Sequence, residues 1–338
     1  MEDGTEMHVY APYIGELLAL PILPDASAER RLTILYTLSN QTEVHYHPVS
    51  LPKKNGGRRR LLVPDALLKQ VQRQILHGIL ERMPVSSYAM AYHSGVSIVE
   101  NASVHLGQPQ ILKLDIRDFF SSILFPDVLS ACFASPYFSA PVGTLLTNLC
   151  CYRGYLPQGA PTSPAVSNLV LRPFDEWVGQ WCAAQQIVYT RYCDDLTFSG
   201  DFNAAAVKQR VGSYLQVMGF SLQEKKTRLL SAHSQQRVTG IVVNEKMQVP
   251  RQYRRRLRQE IYYCDRYGVQ SHLAAITGRE AEAIQPAEIR QYLQSLLGKI
   301  HFVLQVNPQD ASFQQSREQV TAWLQAVPYK DGIISPES

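Results

Sequence analysis

Apolar positions switch along the chain between helical and strand spacing and mark out a series of elements. Residues 10–20 read as a short helix closed by Pro21 and Pro24, and 28–39 as a second helix. Asn55-Gly56 between extended flanks signals a hairpin. Leu68, Val71, Ile75 and Ile79 then recur every three or four residues through Met83, with Asp65 placed to cap that helix. Residues 111–116 form a buried-strand pattern interrupted by Lys113 and Asp115. Residues 123–155 read as helical from Pro126 and Asp127 onward, with Leu145, Leu149 and Tyr152 on one apolar face. Residues 156–164 read as a tight loop opening a helix over 165–174, with Pro164 near its first turn. Residues 189–198 read as two short strands with Asp194-Asp195 at their turn. An amphipathic helix over 204–218 ends at Gly219, and Phe220-Ser221-Leu222 starts a strand. Residues 237–244 read as one further strand, and 250–267 and 287–306 as helices. No internal repeat or low-complexity tract is present.

Composition narrows this little. With 338 residues, 45% hydrophobic and 18% charged, the chain suits one large globular domain or two to three modest ones. No apolar run approaches the ~18 residues a bilayer span needs. Met1-Glu2-Asp3 does not begin a secretory signal, so no membrane role is expected. The six cysteines show no C-x-x-C spacing and read as reduced thiols of a cytosolic protein.

The net charge of +4 is mild, but its placement is informative. Lys53, Lys54, Arg58, Arg59 and Arg60 crowd one hairpin, which reads either as a solvated basic turn or as a phosphate clamp. Arg251, Arg254, Arg255 and Arg258 fall at i, i+3, i+4 and i+7, a cationic stripe opposite Tyr253, Leu257, Ile261 and Cys264. That is a helix packed on one side and suited to a nucleic-acid backbone on the other.

Asp194-Asp195 alone would be a wet turn, because Asp favours turns for local reasons. Asp115 changes this. A carboxylate inside a central strand is costly unless paired or bound to metal. Asp118, near the end of that strand, reads as a helix cap. If the strand of Asp115 lies beside the hairpin, three carboxylates meet and need divalent cations; two Mg²⁺ ions would suit phosphoryl chemistry. With bases flanking the acids, the reaction class is nucleotidyl transfer or hydrolysis on nucleic acid. His45 and His47 alternate on a strand but lack further ligands and read as a polar face. Asn101 and His105 share a helix face, and their spacing alone favours a structural role.

Three stretches then carry a resemblance over residues 45–265. Asp115-Ile116-Arg117-Asp118-Phe119-Phe120, Leu156-Pro157-Gln158-Gly159-Ala160-Pro161-Thr162-Ser163-Pro164 and Tyr192-Cys193-Asp194-Asp195 resemble, in order, the palm motifs of a reverse transcriptase. Asn101-Ala102-Ser103-Val104-His105 and Val238-Thr239-Gly240 resemble the two signatures of bacterial retron reverse transcriptases. The resemblance implies an α+β right-hand polymerase with fingers, an antiparallel-sheet palm and a helical thumb. Its divisions would be an N-terminal helical extension at 1–44, fingers and palm at 45–248, and thumb with C-terminal tail at 249–338.

It also implies roles. Asp115, Asp194 and Asp195, with the Ile116 carbonyl, would hold two Mg²⁺ ions. Lys226 would protonate departing pyrophosphate. Lys53, Arg59, Arg60, Phe120, Gln158 and Gly159 would bind the dNTP, with Phe120 excluding the ribose 2′-OH. Asn101, His105, Val238, Thr239, Gly240 and the four arginines of the stripe would contact RNA. The reaction would copy a cognate noncoding RNA from an internal guanosine 2′-OH into branched msDNA. The setting would be the bacterial cytoplasm and antiphage defence, with the effector on a separate chain. Alternatives are a group II intron-like or diversity-generating reverse transcriptase, or a scaffold that restrains a toxic effector. Cys193 departs from the family, which commonly carries Ala there.

Overall fold

The structure is a computed structural model that describes residues 6–52 and 56–328. Helices α1 (Glu6–Ala19) and α2 (Ala28–Asn40) stand where the apolar spacing placed them. Strands β1 (Tyr46–Pro52) and β2 (Arg58–Pro64) pair antiparallel from Tyr46↔Pro64 to Pro52↔Arg58. Lys53, Lys54 and Asn55 at the hairpin tip lie outside the described residues. In α3 (Ala66–Gly78) the cap is the expected one, Asp65 Oδ1 accepting from Leu68 N at 2.9 Å. Leu68, Val71 and Ile75 are buried, as a 3.6-residue period requires.

The short helix α4 (Ile98–Ser103) precedes strand β3 (Gln110–Asp115). Asp118 does not act as a side-chain cap. It takes a positive φ of 45°, and its backbone carbonyl accepts from Ser122 N. Residues 123–155 are not one helical run. They divide into α5 (Phe125–Val128), a π-helical turn over 129–133 and α6 (Ala140–Cys150). Pro136 interrupts the backbone ladder, and the chain folds back so closely that a Cβ on Gly143 would run into Phe133 O.

Helix α7 (Ser163–Ala184) runs well past the expected end, through Pro173. The lost hydrogen bond is outweighed because Phe174, Val178 and Cys182 beyond it are fully buried. Strands β4 (Val188–Tyr192) and β5 (Asp195–Gly200) form the expected hairpin around Cys193 and Asp194. Helix α8 (Ala204–Val217) and strand β6 (Arg228–Ser231) follow.

The single strand expected over 237–244 is instead a hairpin of β7 (Arg237–Val238) and β8 (Ile241–Val242). Thr239 and Gly240 at its turn have φ 46° and 87°, the left-handed pair of a tight hairpin turn. Helices α9 (Arg251–Tyr267), α10 (Val269–Thr277), α11 (Pro286–Val306) and α12 (Ala311–Ala326) complete the chain.

Two compact units result, Met1–Ser97 with Pro109–Leu230, and Ile98–Gln108 with Ser231–Ser338. The first is built on a four-stranded sheet in the order β4-β5-β3-β6, with β5 antiparallel to both β4 and β3. Its core joins Leu112, Leu114 and Phe198 of the sheet to Leu171 and Phe174 of α7 and Val211 of α8. The second is helical apart from the β7–β8 hairpin, against which α4 packs. Thr239 Oγ1 donates to Ile98 O at 2.9 Å, and Gly107 N to Val243 O at 2.9 Å. The class is α+β with antiparallel sheets, as expected.

Candidate active site

Strand pairing decides where the acids meet. Asp115 closes β3 directly opposite Asp195, the first residue of β5, and Ile116 N donates to Asp194 O at 3.0 Å. The convergence that the sequence left conditional is therefore set by register. All three carboxylates line a cavity of about 820 Å³. Ile116, Phe120, Gln158, Lys226, Arg59 and Arg60 line the same cavity. Gly159 lies in an adjoining cleft of about 400 Å³ that shares Tyr92, Phe120 and Gln158.

The electrostatics fit a charged ligand. Burial, together with the neighbouring Asp194 charge, raises the Asp115 carboxyl, against the opposing pull of Lys226. Burial likewise raises Asp195, with the charges of Asp194 and Asp115 adding and Lys113 opposing. Lys226 Nζ donates to Asp115 Oδ2 at 2.6 Å. Its own burial would lower its pKa, but this hydrogen bond and the three carboxylates hold it above the usual lysine range. Among the described residues, no three His, Cys, Asp or Glu side chains converge closely enough to enclose a metal by themselves. The donors here are carboxylates on adjoining strands and their turn, open to the cavity. That set of hard oxygens suits a divalent cation that shares its coordination with phosphate.

The rest of the wall is held by backbone. Leu62 N of β2 donates to Gln158 O at 2.8 Å, and a Cβ on Gly159 (φ 128°) would meet Leu62 O at 2.7 Å. Gly159 thus lets the basic hairpin close on the loop. Phe120 is half-buried and braced by Phe119, with ring centroids 5.2 Å apart. Arg58 is tied across the hairpin to Ser50 Oγ at 2.6 Å, while Arg59 and Arg60 are exposed along the cavity.

Sequence reasoning missed several lining residues. Tyr152, Arg153 and Tyr155 belong to a tight turn in which Tyr152 and Tyr155 exchange backbone hydrogen bonds. Arg153-Gly154 between two tyrosines was a readable turn signal. Tyr92 was also missed, as was a fully buried network behind the acidic turn. Arg191 pairs with Asp175 (2.6 Å), donates to Asn168 Oδ1 (3.1 Å) and reaches the Cys193 carbonyl (3.1 Å). Tyr189 Oη also donates to Asp175, at 2.8 Å. Burial pushes the Cys193 thiol up to about 12, with the neighbouring Asp194 charge adding.

The residues expected to contact RNA lie in the second unit. Asn101, His105 and Val238 are buried, so their side chains are not presented at the surface. Only the Thr239-Gly240 turn of that group reaches toward solvent. The arginine stripe is divided. Arg251, Arg255 and Arg258 are exposed, though Arg258 also lies over the Phe313 ring and 4.0 Å from Asp310, whereas Arg254 donates to Val249 O and Gln248 Oε1. These acceptors lie outside the helix and are invisible in its periodicity.

Residues 51–243 match the family described as Reverse transcriptase (RNA-dependent DNA polymerase). The retron Ec86 reverse transcriptase of Escherichia coli is 32% identical over 256 residues, covering 73% of this chain and 80% of that protein. The retron Mx65 and Mx162 reverse transcriptases of Myxococcus xanthus are 36% and 31% identical over 69% and 72% of this chain, which spans 60% and 56% of their lengths. Among solved structures, telomerase from Candida albicans in complex with a telomeric RNA fragment is a distant likeness, with TM-score 0.42 and 11% identity over 89% of this chain and 71% of that one. No helix among the described residues is long and apolar enough to cross a membrane.

Proposed function

This chain belongs to the retron reverse transcriptases, a family of RNA-directed DNA polymerases, and we propose that it copies a cognate structured noncoding RNA into branched, RNA-linked DNA primed from an internal guanosine 2′-OH. The observation that carries this reading is Asp115 facing Asp195, with Asp194 on the adjoining turn, in a cavity rimmed by Arg59 and Arg60. In the three-part reading, residues 1–44 form the helical extension, 45–248 fingers and palm, and 249–338 thumb and tail.

Asp115, Asp194 and Asp195, with the Ile116 carbonyl, would hold two Mg²⁺ ions. When bound, such ions stabilise the attacking and leaving oxygens of an in-line displacement. Arg59 and Arg60 grip the triphosphate through charge-assisted hydrogen bonds, and Lys53, outside the described residues, is assigned the same role from the sequence. Gln158 and Gly159 form the surface under the nascent base pair. Lys226 carries a proton at Nζ on the cavity rim and gives it to departing pyrophosphate. Arg251, Arg255 and the Thr239-Gly240 turn meet phosphates and 2′-OH groups of an RNA stem, the features by which RNA helices are read. Asn101, His105 and Val238 support that turn from within. The wider role proposed is antiphage defence with a separate effector protein.

Phe120 selects the sugar. Its ring, braced by Phe119, would collide with a ribose 2′-OH on the incoming sugar. Phe120→Ala is expected to raise ribonucleotide incorporation relative to deoxynucleotide by about tenfold or more, a steric selectivity of ordinary size. Unchanged discrimination in single-nucleotide extension would remove Phe120 from this role. The function as a whole is tested by sequencing the nucleic acid that co-purifies with the protein. Branched RNA–DNA is expected, and its absence would count against the reading.

A further inference from the structure

Tyr92 stands at the meeting of two spaces. It lines both the 820 Å³ cavity that holds the acids and the 400 Å³ cleft beside it. Only Phe120 and Gln158 share that position. Its side chain is 46% exposed, unusual for an aromatic ring so near a polar centre. An exposed ring of this kind offers a face on which a base or sugar can stack.

The ring is held from both ends. Its hydroxyl donates to Cys193 Sγ at 3.0 Å, across 101 residues of sequence. Its backbone has φ 65°, a conformation that a tyrosine adopts only when its surroundings impose it. Those surroundings are visible. Arg191 N donates to Tyr88 O at 2.8 Å, Met90 N to Arg191 O at 2.7 Å, and Asn168 Nδ2 to Ala91 O at 2.7 Å. The segment ahead of Tyr92 is thus laced to the outer edge of β4. Cys193 is fixed in turn, with φ 61° and its carbonyl accepting from Arg191 at 3.1 Å. Two residues in left-handed backbone therefore meet through their side chains beside Asp194. Tyr92 lies largely outside the core, whereas Cys193 is buried within it and offers the ring a fixed point.

We propose that Tyr92 is a specificity-determining residue of the polymerase site. Its ring packs against the terminal base pair of the growing strand, and the Cys193 thiol sets where that ring stands. The inference rests on the polymerase reading above. A correctly paired terminus matches the fixed ring, whereas a mispaired terminus, displaced sideways, collides with it or loses the stacking. The hydrogen bond is what makes the ring an unyielding gauge, because without it the phenol is free to swing toward either space.

The test uses the full-length chain, an RNA template and annealed DNA primers with matched or mismatched 3′ ends. The wild type must first extend the matched primer; if it does not, the polymerase reading itself fails. Tyr92→Phe keeps the ring and removes only the hydroxyl. It is expected to raise mismatched relative to matched extension about fivefold, the scale of one ordinary hydrogen bond. Cys193→Ala is expected to do the same, and the double variant to go no further than either single one, since both remove one bond. Tyr92→Ala is expected to relax discrimination more strongly and to raise KM for the primer–template at an unchanged melting temperature. A Tyr92→Phe variant with wild-type mismatch discrimination would overturn the proposal. So would single effects that multiply in the double variant, or an equal loss on matched and mismatched ends.

Discussion

Asp194→Asn is expected to lower deoxynucleotide incorporation by about a thousandfold or more while leaving the fold intact. The size follows from losing roughly 4 kcal/mol of transition-state stabilisation by the proposed metal ligand, at a factor of ten per ~1.4 kcal/mol. The stability half of the expectation is the less obvious one. The Asp194 charge pushes up the carboxyls of Asp115 and Asp195, so it repels both in the folded chain. Removing it relieves that repulsion while giving up its attraction to Lys226, so the melting temperature should change little. Stability given up to hold like charges together is a common mark of a functional site. Primer extension and thermal melting on one preparation check both halves. Activity within tenfold of wild type would mean that Asp194 is not a ligand.

Arg191→Met should be damaging for the opposite reason. Arg191 and Asp175 are both fully buried and paired at 2.6 Å. Deleting one partner strands the other charge, a loss of about 3–5 kcal/mol. The urea midpoint should fall accordingly. Polymerase activity should fall further than the folded fraction, because Arg191 also holds the Cys193 carbonyl at the acidic turn. A midpoint within experimental error of wild type, with full activity, would show that the network is not the anchor of that turn.

Much of this site was legible in the sequence where local chemistry and packing agree. The β3 pattern exposed Asp115 because a carboxylate in an apolar strand demands a reason, and the Asp65 cap and the α9 boundary followed from short-range signals. The same reasoning applied to Arg191, which also lies within a buried strand, but its partners come from α7 and could not be inferred from β4. The turn at Thr239-Gly240 was hidden because Val238 and the run Ile241-Val242-Val243 read as continuous apolar strand. Only the left-handed backbone shows two strands. Helix α7 passed Pro173 because burial on its far side outweighs a local breaking signal. The Tyr92–Cys193 contact joins segments whose proximity depends on the whole sheet.

Labelled dNTPs given to the purified chain with its own co-purifying RNA test the central claim most directly. The expected result is DNA joined covalently to that RNA through a 2′–5′ link, and none with the Asp194→Asn, Asp195→Asn protein. Label that never becomes linked to RNA, or linkage that persists without the two carboxylates, would contradict it.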